Sequence, residues 1–199
     1  MRKLLTILCF AILVVGCKNQ NKSEKKEMHI QHETKQQVKS TKKKVLSPHE
    51  TAMTMIGDAH IHIDYSSPGV RSRIIFGGLL AYDMVWQAGA HKATWLETNK
   101  DLIIDGKTLV AGKYGFFTIP SKDEWTIIFN TNWDQHGKDE YDSKDDVLRF
   151  KVKPIISETT TEHLVYKIKK THENEGTISL AWEKVFINFN FKVNKDEEI

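Results

Sequence analysis

From residue 51 onward the apolar positions of this chain recur every second residue, the period of a strand that buries one face. Residues 51–56 (TAMTMI) and 60–65 (HIHIDY) alternate in this way, and Gly57-Asp58 between them suits a hairpin turn. Ser66-Ser67-Pro68-Gly69 is a turn cluster. Residues 93–98 predict a strand and 102–104 a short one, followed by Asp105-Gly106, the strongest hairpin signal in the chain. Residues 109–112 turn again, and 113–119 (KYGFFTI) read as a strand stopped by Pro120. Residues 125–129 (WTIIF) are apolar throughout, the mark of a strand buried on both faces. Residues 130–145 are polar and irregular, and 147–152 (VLRFKV) alternate up to Pro154. Residues 163–169 (HLVYKIK) place Leu164, Tyr166 and Ile168 on one face. The loop 170–176 then leads to 177–182 (TISLAW) and 185–193 (VFINFNFKV), expected to form another strand pair. No window carries an apolar period of 3.6. About ten short strands therefore predict an all-β domain, a single antiparallel β-sandwich or flattened barrel.

The start of the chain breaks this pattern. Arg2 and Lys3 precede an apolar run, residues 4–15, too short to span a bilayer as a helix. It ends in Val14-Val15-Gly16-Cys17, which resembles a bacterial lipobox. The resemblance implies a signal peptide over residues 1–16, cleavage before Cys17, and diacylglycerol, with acyl chains such as palmitate, on the Cys17 thiol. The chain has two cysteines, and Cys9 would leave with the signal. The mature domain then has no free thiol, which excludes cysteine catalysis and thiolate metal sites.

Charge divides what the overall +3 conceals. Residues 17–46 hold nine Lys against three Glu and almost no large apolar side chain, so they read as a disordered tether. As a flexible coil it would span roughly 30 Å r.m.s.. Of the 29 Lys and Arg, two lie before Cys17 and nine in the tether, leaving 18 against 23 Asp and Glu in residues 47–199. A basic tether thus carries an acidic domain, and no nucleic-acid partner is expected.

A series of short blocks then identifies a relationship. Ser47-Pro48-His49-Glu50, Ile75-Phe76-Gly77-Gly78-Leu79, Val85-Trp86, Ala88-Gly89-Ala90 and Ala93-Thr94 come in that order. Ala111-Gly112-Lys113-Tyr114, Phe117-Thr118-Ile119-Pro120 and the run from Glu124 to Asn130 (EWTIIFN) follow. This pattern resembles a bacterial envelope family known as domain of unknown function twenty-nine-eleven, over about residues 47–193. The resemblance implies an exported β-rich domain, frequently a lipoprotein, and no established activity. The expected location is the bacterial cell envelope, membrane-anchored through Cys17 and facing the periplasm or the surface. Relatives typically carry Arg-Thr after the tryptophan and Asn with an acidic residue after the Gly-Ala pair. Here Gln87-Ala88 and His91-Lys92 stand at those places.

Three groups of residues carry candidate chemistry. Asp58-Ala59-His60-Ile61-His62-Ile63-Asp64 resembles the first metal-binding strand of amidohydrolases, but that barrel needs about 250 residues and eight helices. A smaller possibility is a surface zinc or copper site from His60, His62 and Asp64 or His49, against a solvated face that happens to be His-rich. No other cofactor is expected. Arg71 and Arg73, on one face by alternation, suit a carboxylate, sulfate or phosphate, unless they pair internally with Asp64 or Asp83. Trp86, His91 and Trp95 surround Gly89 and offer stacking faces to a ligand, unless Trp86 and Trp95 fill the core. Trp133, in the polar loop, either lids a pocket or packs locally. No G-x-S-x-G elbow, phosphate loop or paired zinc motif appears, and no catalytic residue is assigned. Two readings result: a lipid-anchored envelope protein that binds a small molecule or an envelope partner through Arg71, Arg73, Trp86 and His91, or a metal-dependent or hydrolytic envelope enzyme using the same stretch.

Overall fold

The computed structural model describes residues 45–194; the expected signal peptide, Cys17 and the tether as far as residue 44 lie outside them. Two antiparallel sheets face each other. The larger is ordered β1 (His49–Ile56), β2 (Ala59–Ser66), β3 (Trp95–Thr98), β6 (Gly112–Ile119), β7 (Trp125–Asn130) and β8 (Asp146–Val152). The smaller is ordered β5 (Lys107–Leu109), β4 (Leu102–Ile104), β10 (Glu175–Val193) and β9 (Ile155–His172). The expected sandwich is therefore present, as two separate sheets and not as a closed barrel.

Turn chemistry places the hairpins. Gly57 and Asp58 join β1 to β2, with Gly57 at φ 59°. Asp105 and Gly106 join β4 to β5, both left-handed at φ 52° and 72°, as a type I′ turn requires. All six residues of β7 are buried. One face meets the core between the sheets, through Trp125, Ile127 and Phe129. The other holds Ile128, which packs with Phe117 and Ala93 beneath Val85, Ile119 and Tyr141. Segments on either side of the central strands thus cover the outer face of β7, which explains its unbroken apolar run.

One strand segment is added and one expectation is corrected. Residues 155–162, which no strand signal marks, form the first half of β9. Residues 177–182 and 185–193 are not a pair but one strand, β10, nineteen residues long. Its register against β9 slips at Glu183, which sits at φ 54°. Ala181 pairs with Val165 before the bulge, and Val185 with Ile156 after it. The bulge bends a strand too long to stay flat, and its polar Glu183-Lys184 reads as a turn in the sequence.

The core between the sheets is aromatic. Phe150 and Phe189 meet at 5.0 Å, and Phe116 meets Phe129 at 5.3 Å, both edge to face. Between β2 and β3 the chain makes a long crossing with no strand of its own. Pro68 O accepts from Leu164 N–H at 3.0 Å, and Val70 N–H donates to Glu162 O at 2.7 Å, so the crossing is first tied to β9. Ile75, Phe76, Trp86 and Ala88 then enter the core, and Trp86 exchanges both main-chain hydrogen bonds with Thr118 of β6 at 2.8 and 2.9 Å.

Candidate functional site

The crossing forms one wall of a cleft of about 420 Å³. Its floor is the indole pair Trp86 and Trp182, stacked at 5.6 Å and 25°. Both are buried, and the Trp86 Nε1–H donates to Gly89 O at 3.0 Å. Leu79 and Leu80 supply an apolar side, and Arg71, Arg73, Gln87 and His91 supply the polar border. Arg71, Arg73, Trp86 and His91 thus border one concavity. No Asp or Glu lines it.

The two arginines do not take acidic side-chain partners at Asp64 or Asp83. Arg73 donates from Nε to Val70 O at 3.0 Å and from Nη2 to Gly69 O at 2.7 Å. Arg71 donates from Nη2 to Leu46 O, while its backbone N–H is taken by Glu162 Oε1 at 2.9 Å. The alternation that would place them on one strand face is absent, because Arg71 and Ser72 are left-handed at φ 50° and 57°. Asp64 turns instead to His49, whose Nε2 lies 2.7 Å from its Oδ2.

Backbone strain collects here. Arg71, Ser72, Asp83, Ala88 and His91 all have positive φ, and so has Glu183 beside Trp182. A left-handed non-glycine residue costs roughly 1–2 kcal/mol and persists only where its surroundings over-determine it. At Ala88 (φ 53°) they do: its carbonyl accepts from Thr94 Oγ1 at 3.0 Å and from the buried Tyr166 hydroxyl at 2.7 Å. His91 O accepts from Gly137 N–H at 2.7 Å. Gly89 cannot be replaced, since a Cβ there would sit 2.6 Å from Thr94 Oγ1. Burial pushes the Tyr166 phenol well above its ordinary value, and the neighbouring Tyr65 adds to this.

The His-rich strand lies elsewhere. His60, His62 and Asp64 alternate on the outer face of β2, as period two requires, and the two imidazole centroids are 6.2 Å apart. Among the described residues no three His, Cys, Asp or Glu side chains converge on one point. Trp95 also belongs to this face, not to the core. It is half-buried, edge-on to His62 at 4.8 Å, and its ring lies 3.5 Å from Lys113 Nζ. The same ammonium sits 3.8 Å from the Trp133 ring, so Trp133 packs locally across the lysine. Sequence reasoning missed Gln87 and Trp182 at the cleft. Trp182 had only its place in the alternation of 177–182 to mark it, which equally well describes plain core.

Comparison with curated proteins and with solved structures gives no match. The family model described as protein of unknown function DUF2911 matches residues 47–191, from just ahead of β1 to near the end of β10, and this chain belongs to that family.

Proposed function

We propose that this is a lipid-anchored protein of the bacterial cell envelope whose cleft binds a small ligand with an anionic head and an apolar body. One observation carries the reading: two guanidinium groups, held by main-chain carbonyls, border a tryptophan-floored cleft that no carboxylate lines. A guanidinium has five N–H donors, and Arg73 spends two of them on Val70 and Gly69, which leaves a fork free for a carboxylate, sulfate or phosphate. The Leu79–Leu80 side, over the buried indoles of the floor, suits the apolar part. The volume falls in the range of ligand sites, about 300–1,000 Å³. The concentration of strained backbone around the cleft supports the same reading, because strain is retained where geometry serves a site. The apolar run ending at Cys17 and the basic tether support the anchor and the envelope location.

The binding test is a fluorescence titration of the full chain in detergent with octanoate, octyl sulfate and inorganic phosphate, reading Trp86 and Trp182 at the floor. We expect saturable quenching by the two amphiphiles and little by phosphate. The Arg71→Gln/Arg73→Gln variant should bind at least about tenfold more weakly, since a hydrogen bond to a charged group is worth about 1.5–3 kcal/mol. No saturable response, or an affinity indifferent to both substitutions, overturns the proposal. The anchor is tested separately: Cys17→Ala should leave the membrane fraction, and a variant that still sediments with membranes after a high-salt wash refutes it.

A further inference from the structure

We propose a second binding site on the outer face of the β1–β2 hairpin, for a soft monovalent cation of the copper(I) type held by Met53, Met55, His60 and His62. It shares no residue with the cleft and does not depend on what the cleft binds. The hairpin register sets Met53 directly opposite His62 and Met55 directly opposite His60. Ala52, Thr54 and Ile56 point the other way, as do Ile61 and Ile63, so the two thioethers and two imidazoles make a two-by-two patch. Facing residues on an antiparallel pair have Cβ atoms about 4.5–5.5 Å apart, and methionine has three rotatable bonds with which to bring sulfur inward. The methionines are 57% and 53% exposed and take no part in the core.

A second observation points to a ligand. His62 Nε2 is shielded from solvent and has no hydrogen-bond partner. Leaving a buried polar group unpaired costs about 1–3 kcal/mol. A bound cation is a partner that a nitrogen lone pair can use. Two imidazoles each about 2.0–2.1 Å from one ion place their ring centres roughly 5–6 Å apart, against 6.2 Å between His60 and His62, so a small side-chain movement completes the pair.

The donor set decides the metal. Imidazole with thioether selects copper(I), whereas zinc, calcium and magnesium need harder or more numerous ligands. Asp64, the carboxylate that would convert the patch into a zinc set, is held by His49 at 2.7 Å. Glu97 lies opposite His62 on β3 and adds negative charge beside the patch, while the nearby Lys113 cation is spent on the Trp95 and Trp133 rings. Residues 47–199 have no cysteine, so thioether is the only soft ligand that the domain offers.

The test uses the full chain with methyl-¹³C methionine, titrated with silver(I), a redox-silent stand-in, through three equivalents so that Cys9 and Cys17 cannot mask the site. The Met53 and Met55 methyl resonances, assigned by Met53→Leu and Met55→Leu, should move saturably. Met84, equally exposed at 55% but outside the β1–β2 hairpin, should not. Competition for copper(I) against bicinchoninate, in a Cys9→Ser/Cys17→Ser background that removes both thiols, should show at least a tenfold loss of affinity in Met53→Leu/Met55→Leu and in His60→Gln/His62→Gln. Leucine keeps the methionine volume, so the fold survives the first pair. Equal shifts at Met84, or a copper(I) affinity unchanged by the leucine pair, overturns the site. Zinc(II) bound as tightly as copper(I) and regardless of the methionines also overturns it.

Discussion

Two hydroxyls converge on a single carbonyl at the strained turn behind the cleft, and their removal should be strongly non-additive. Tyr166→Phe deletes the 2.7 Å bond to Ala88 O and keeps the ring, which packs edge-on to Tyr65 at 4.8 Å and Phe116 at 5.6 Å. Thr94→Val deletes the 3.0 Å bond to the same oxygen and nearly preserves shape. Each single change removes one of two bonds to a carbonyl that still has a donor, so each should cost about 1 kcal/mol. The double variant strips Ala88 O of both side-chain donors in a buried place, which adds the penalty of an orphaned acceptor, about 1–3 kcal/mol. The expected total is therefore about 3–5 kcal/mol, with a coupling of about 1–3 kcal/mol in the double-mutant cycle. Urea unfolding followed by tryptophan fluorescence measures it, with the slope m unchanged. Additivity within about 0.5 kcal/mol would refute the shared-carbonyl account. A loss confined to ligand affinity, with stability intact, would refute it too.

Three further expectations are independent of that turn. Burial raises the phenols of Tyr166, Tyr65, Tyr114 and Tyr141 above their ordinary value, whereas in the unfolded chain they ionise near about pH 10. A raised folded-state pKa keeps its stabilising contribution below the unfolded value and loses it as pH climbs. The urea midpoint should therefore hold to about pH 10 and fall beyond it, less steeply in Tyr166→Phe, and a midpoint still level at pH 11 contradicts the assignment. Gly176→Ala places a Cβ 2.5 Å from Ile56 Cδ1 and from Phe191 Cζ, so overpacking should cost about 1–3 kcal/mol and lower Tm by several degrees in calorimetry; an unchanged Tm removes the steric argument. Asn130, fully buried, donates from Nδ2 to Asp142 O at 2.9 Å and to Asp146 Oδ1 at 2.8 Å, and accepts from Asn132 N–H at 2.8 Å. Asn130→Ala should cost about 2–4 kcal/mol and speed proteolytic cleavage within residues 131–145, and a digestion rate equal to wild type would count against this tie.

Where local chemistry decides the structure, the sequence is readable. Gly57-Asp58 and Asp105-Gly106 form their turns because Gly57, Asp105 and Gly106 tolerate the left-handed backbone these turns need, and 125–129 are buried twice because they are apolar on both faces. Where a distant partner decides, it is not. Residues 155–162 extend β9 because β10 runs on past its bulge and pairs Val185 and Phe186 with Ile156 and Ile155, although 157–162 are polar. Trp95 shows a different failure. Period two sets it with Glu97 on the outer face and Leu96 inward, yet its size invites placing it in the core. Its burial comes from Lys113 and Trp133, a partner thirty-eight residues on, which no local pattern reveals. At the cleft, the residue types and the glycine-punctuated stretch were visible. The turn that aims the arginines was not, because the left-handed Arg71 and Ser72 answer to Glu162 on β9.

The long β9–β10 hairpin also orders events in time. Its ladder closes over a turn at Glu173 and Asn174, so it nucleates within a few tens of residues. The pairing of β10 with β4 joins Val193 to Leu102 and must close a far longer loop. Loop-closure entropy therefore favours the hairpin as the early structure and delays completion of the smaller sheet. Trp182 rides on that hairpin, whereas Trp86 arrives with the crossing that spans β2 and β3. Their stacking joins the hairpin to the crossing, so in a refolding experiment the exciton signal of two indoles at 5.6 Å should appear after the hairpin has formed.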